Sequence, residues 1–185
     1  KQVPDSWAEK RLTDSDKTLD RDSADRVVNE LDEYAVEEAL RLVESHGGEV
    51  TILSMGPDAA VDSVRKAISM GANSGIHIVD PALHGSDAVA TSLVLAKAIA
   101  GRGFDLVMFG SESTDARMSV VPAMVAARLG LPQLTFANKV TVDGATVVIH
   151  RQTDYGYDEV SASLPAIVSV VEKTNRSEEH TSELQ

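Results

Sequence analysis

The sequence contains no cysteine. Disulfides, thiolate catalysis and Cys-based zinc or iron–sulfur sites are thereby excluded, and the absence fits a reducing compartment. Aromatic side chains make up only 4% of the 185 residues, so Val, Ile, Leu, Met and Ala must fill the core. Positive charge is also scarce: 17 Lys and Arg stand against 29 Asp and Glu, a net charge of −12. A phosphate backbone needs a Lys/Arg surface, so nucleic acid is not an expected partner. Docking on anionic lipid is disfavoured for the same reason. No apolar run reaches the ~18 residues of a membrane span, so no membrane insertion is expected. The opening Lys1-Gln2-Val3-Pro4-Asp5 has neither an initiator Met nor the apolar stretch of a signal peptide.

What is there is a 43% hydrophobic fraction, enough for the core of one domain at this length. Short β-branched runs alternate with longer helical stretches. Residues 50–55, 76–79, 105–110 and 166–171 read as strands. Helices are expected over 33–45, 58–70, 86–100 and 122–129, closed by Gly47-Gly48, Gly71, Gly101 and Gly130. This alternation predicts an α/β fold, a doubly wound, mostly parallel sheet with helices on both faces. From residue 134 the pattern changes. Residues 134–142, 145–151 and 159–163 read as successive strands with a turn at Asp143-Gly144, an antiparallel β extension. A doubly wound domain should open on a buried strand, yet Lys1 stands where such a strand would exit. The first strand is therefore expected to be missing from the sequence, leaving an unpaired slot and a poorly stable fragment.

Ligands of open parallel sheets bind beyond the carboxyl ends of the strands. Three segments fall there. One is Ser54-Met55-Gly56-Pro57, and another is Asn29-Glu30-Leu31-Asp32, just before the first helix. The third is Gly110-Ser111-Glu112-Ser113-Thr114-Asp115, continuing through Ala116, Arg117, Met118, Ser119, Val120 and Val121. It has the form of a phosphate cradle: a strand ends at Gly, a polar loop follows, and a helix start offers free N–H groups. Ser111, Ser113, Thr114 and Ser119 add hydroxyls, and Arg117 adds the one cation. Serine-rich loops are more often ordinary turns, however, Asn29 or Asp32 could simply cap a helix, and Met55 could be core. There is no GxGxxG and no P-loop Lys.

Catalytic constellations do not emerge. His46, His77, His84, His150 and His180 show no metal-ligand spacing, and GxSxG is missing. His77 and His150 read as solvent-facing strand residues, and Glu37-Glu38 as the solvated side of the first helix. Neither a catalytic residue nor a metal site is expected, so the chain does not read as an enzyme in its own right.

Several segments, in their order and spacing, resemble the β-subunit of electron-transfer flavoproteins in an actinobacterial style. Lys1-Gln2-Val3-Pro4-Asp5 is similar to the family's opening loop. Residues 29–39 resemble its N-x-x-x-E-x-A-[VL]-E-E-A segment. Ser54-Met55-Gly56-Pro57 and then Arg65-Lys66-Ala67-Ile68-Ser69-Met70-Gly71-Ala72-Asn73 resemble its R-x-A-L-A-M-G-A-D. Residues 105–115 and Leu131-Pro132-Gln133 complete the match. The resemblance implies an adenine nucleotide α hydrolase-like fold and an electron carrier of the bacterial cytoplasm. It implies an α-subunit partner that holds most of the FAD, and an AMP buried in the β-subunit, with FAD there instead in bifurcating members. It further implies electron transfer from acyl-CoA dehydrogenases, as in fatty acid oxidation, to a quinone oxidoreductase. Nucleotide contacts would come from Asn29 to Asp32, Met55 beside the adenosine, and Gly110 to Val121.

Two departures stand out. Val120 and Pro122 replace residues that are often Gln and Gly, so phosphate contact would rest on backbone N–H groups and Ser119. The family likeness ends after Lys173-Thr174-Asn175, which sets the domain at 1–175. Residues 176–185 are polar and aperiodic, and they match the translation of a common sequencing-adapter oligonucleotide, so they read as a non-native tail. Two alternatives share the fold: an adenine-nucleotide hydrolase or ligase, and a universal-stress-like adenine nucleotide-binding module. Their phosphate-loop signatures are not found here.

Overall fold

The structure is a computed structural model that describes residues 1–172 and 174; residues 176–185, read above as a non-native tail, lie outside them. Strands β1 (Gln2–Pro4) and β2 (Arg26–Val28) pair antiparallel. Neither is legible in the sequence, because three residues carry no readable periodicity. Between them residues 5–25 make an irregular excursion.

Helix α1 (Glu30–His46) begins three residues earlier than expected. Asn29 is its N-cap, and its carbonyl accepts from the N–H groups of Asp32 and Glu33 at 2.9 and 3.2 Å. Glu30, Asp32 and Glu33 set negative charge against the positive end of the helix dipole. Segment 29–32 is thus cap and first turn, not a loop before the helix. Glu38 also corrects the sequence reading. It is 1% exposed and ion-paired with Arg41, which donates from Nε to Glu38 Oε2 at 2.9 Å and from Nη2 to Val140 O at 2.8 Å. A guanidinium reaching in from the rim is what lets a carboxylate sit there. Glu37 remains exposed.

Strands β3 (Thr51–Met55) and β4 (Ser74–Ile78) form a parallel pair joined through α2 (Val61–Ser69). A Cβ at Gly75 would lie 2.5 Å from Val64, so glycine lets α2 lie against β4. His77, two residues on and on the same face, is accordingly half-buried, with its Nε2 shut off from solvent. Helix α3 (Ala88–Ile99) starts at an Asp87 cap whose Oδ1 accepts from Ala90 N at 2.8 Å. Strand β5 (Leu106–Gly110) leads by way of residues 111–120 into α4 (Val121–Leu129). Pro122 occupies the first turn of α4, and Gly130 ends it at φ 66°.

The remaining strands are β6 (Gln133–Asp143), β7 (Thr146–Thr153), β8 (Gly156–Ser163) and β9 (Ala166–Val170). The main sheet runs β5-β9-β6-β7-β8, parallel from β5 to β6 and antiparallel beyond. Asp143 pairs with Thr146, so the hairpin turn is Gly144-Ala145, one residue later than expected. Leu106 and Met108 face one core with Ala35 and Leu42 of α1, while Val107 and Phe109 face another with residues of α3 and α4. Helices therefore cover both faces of the parallel part. β9, buried at every position, lies between β5 and β6. The β3–β4 pair and the β5 sheet are separate ladders among the described residues. β8 forms the outer edge. Its Tyr157 stacks on His150 with ring centroids 4.5 Å apart, which half-buries that histidine on the antiparallel extension.

Candidate functional site

The carboxyl end of β5 meets the amino end of α1. A Cβ at Gly110 would stand 2.6 Å from the backbone carbon of Leu31 and 2.8 Å from Asp32 N. Only glycine permits that approach. Gly110 N in turn donates to Asp32 Oδ1 at 3.1 Å. The two segments identified from the sequence, 29–32 and 110–115, are thus brought into contact.

Asn29 is completely buried and does not use its side chain to cap α1. Its Nδ2 donates to Glu112 O at 2.9 Å, and its Oδ1 accepts from Thr114 N at 3.0 Å. One amide thereby fixes two peptide groups of the loop. Ser111 N donates to Val170 O at 2.8 Å, anchoring the loop's start to the end of β9. Residues 113–117 then turn, with Arg117 N donating to Ser113 O at 2.8 Å. Arg117 and Ser119 both lie in the left-handed region, at φ 50° and 56°. Ala116, Arg117, Met118 and Val120 are exposed, while Pro122 is buried. Ser119 Oγ donates to Glu112 Oε2 at 3.0 Å.

Arg117 is the loop's own cation, and two more reach it from elsewhere in the chain. The Asp115 side chain, 1% exposed, receives Lys1 Nζ at 2.8 Å and Arg21 Nη2 at 2.7 Å. Lys1 Nζ also donates to Ser113 Oγ at 3.2 Å. Burial alone would push the Asp115 pKa up; the hydrogen bonds and charge of Lys1, with Ser113 and Arg21, outweigh it and hold the carboxyl well below the usual range. No local signal in the sequence points to Lys1 or Arg21, which lie about a hundred residues from their partner. Met55 closes β3, half-buried, and the next residue donates from Gly56 N to Ile78 O at 3.1 Å. That segment is tied to β4.

Among the buried polar atoms without a partner in the described residues are two at the strand ends: Ser54 Oγ, in a residue 5% exposed beside Met55, and Thr114 Oγ1 in the loop. Buried hydroxyls are normally satisfied, so both fit a polar ligand at the strand ends. A cavity of about 200 Å³ lined by Val3, Trp7, Val28, Glu30 and Thr114 opens next to the loop. No group of three or more His, Asp or Glu among the described residues could hold a metal ion. No helix among them is long and apolar enough to cross a membrane.

The electron transfer flavoprotein domain profile matches residues 16–183. Electron transfer flavoprotein subunit beta of Mycobacterium tuberculosis is 48% identical over 181 residues, covering 95% of this chain and 68% of the relative. The subunit beta of Thermoanaerobacterium thermosaccharolyticum is 35% identical over 175 residues, covering 95% and 67%. Protein FixA of Azorhizobium caulinodans is 38% identical over 183 residues, covering 95% and 65%. The chain therefore spans about two-thirds of the length of these relatives.

Proposed function

The chain belongs to the electron transfer flavoprotein family as a β-subunit, and from that premise we propose that it binds AMP at the strand ends and helps an α-subunit hold FAD. The observation that carries this reading is the 111–120 loop. Its backbone is fixed by Asn29 and by the bond from Ser111 N to Val170 O, and it leads into the amino end of α4, where helix N–H groups are free. Such a cradle suits the phosphate of a nucleotide, and the unpartnered Thr114 and Ser54 hydroxyls suit its polar groups. Met55 would line the adenosine. Backbone donors would bear the phosphate, since Ser119 Oγ already donates to Glu112.

When bound, FAD supplies the redox chemistry, and this chain's residues bind and orient. The wider role is that of a cytoplasmic carrier taking electrons from acyl-CoA dehydrogenases and other flavoenzymes to a quinone oxidoreductase. The two separate ladders support a further reading, that a strand preceding Lys1 completes one doubly wound sheet.

The test is to co-express the full-length gene with its α-subunit, purify the heterodimer and identify the nucleotides released on denaturation. One AMP and one FAD per heterodimer are expected. Two FAD without AMP would overturn the assignment of AMP, and the absence of both would overturn the whole reading.

A further inference from the structure

Asp115 is the buried charge of the cradle loop, and its carboxylate is already paired within the chain. Its carboxylate sits in the middle of the cradle loop, yet it points its bonding capacity at two cations from elsewhere in the chain. Lys1 immediately precedes β1, and Arg21 belongs to the 5–25 excursion. Arg21 is the link of interest. Nη2 is bound to Asp115, and Nη1 is buried with no partner among the described residues, although the side chain as a whole keeps 35% of its surface exposed. The rest of the excursion is held mostly by short-range bonds, with one longer contact from Asp16 Oδ2 to His84 Nε2 at 2.7 Å. Thr13 N donates to Thr18 O at 2.8 Å, and Asp20 Oδ1 accepts from the N–H groups of Asp22 and Ser23. Arg21 is thus the side chain that carries an ion pair from the excursion to the cradle.

We propose that Asp115 is a positioning residue that shapes the 111–120 loop for the nucleotide and, through Arg21, couples occupancy of that site to the ordering of residues 5–25. The inference rests on the nucleotide reading above. A charge pair between two segments stabilises both at once. A nucleotide that favours the loop geometry in which Asp115 meets Arg21 also favours the docked excursion, and by linkage the docked excursion favours the bound nucleotide.

The experiment uses the full-length heterodimer with its α-subunit, and AMP as the probe. Arg21→Met removes the charge from a side chain outside the cradle and keeps most of its length. Release of labelled AMP should quicken about tenfold, in the usual range of such couplings. Hydrogen exchange supplies the readout that a merely structural role would not move. In the unmodified protein AMP should slow deuterium uptake across residues 5–25, and in Arg21→Met that protection should vanish. Arg21→Lys, which keeps a cation, should recover part of both effects. An Arg21→Met variant with unchanged release and unchanged AMP-dependent protection would overturn the coupling while leaving the nucleotide reading intact. Unmodified protein that takes up no AMP would overturn both.

Discussion

Two irregular stretches of similar appearance in the sequence, 5–25 and 111–120, are built on opposite plans. Both are rich in Asp, Ser and Thr. In the first, those side chains mostly serve their own neighbourhood. Asp16 Oδ1 accepts from Thr18 N at 3.1 Å and from Thr18 Oγ1 at 2.8 Å, and a single bridge joins Leu12 to Leu19. The bonds from Thr13, His84 and Thr18 keep the Asp16 carboxyl well below its ordinary range, all at the surface. In the second stretch the bonds come from far along the chain: Asn29, Val170, Lys1 and Arg21. A loop held by its own residues is a local turn. A loop held by distant ones is a part of the scaffold, and a ligand meeting it pays less ordering entropy.

This contrast can be broken most severely at Gly110. Gly110→Val would drive a side chain into the backbone of Leu31 and Asp32. A loss of about 3 kcal/mol in urea unfolding of the heterodimer is expected, with AMP no longer retained. Unchanged stability would mean that α1 does not press on β5 as described. Next comes Asn29→Ala, which strands a loop N–H and a loop carbonyl. A cost of about 2 kcal/mol is expected, with new protease cleavage confined to residues 111–120. The smallest effect belongs to Asp16→Ala. It should shift neither the melting temperature nor AMP retention measurably, and loss of AMP there would show the excursion to be scaffold after all.

The sequence made the strand ends legible because β5 and β9 are short apolar runs bounded by Gly and Pro, and α4 carries Pro122 and Gly130 at the positions that start and stop helices. It likewise marked 29–32 and 110–121 as candidates. What it hid was tertiary. Glu38 looks solvated until the fold buries it against Arg41, which is itself held by the Val140 carbonyl. Asn29 looks like a cap, yet its amide goes to residues more than eighty positions away. Arg21 looks like one charge among many in a polar stretch, and only the fold sets it beside Asp115.

The outer strand β8 has a consequence for how the protein behaves when concentrated. It pairs with β7 alone among the described residues, and so offers a row of open backbone groups to any passing strand. Asp158 and Glu159 lie on that strand, following the exposed Tyr155 and Tyr157. Two copies approaching edge to edge would bring like charges together, which discourages fibril growth from this side. Neutralising both, as Asp158→Asn with Glu159→Gln, removes the repulsion and leaves an aromatic rim with open backbone hydrogen-bonding groups.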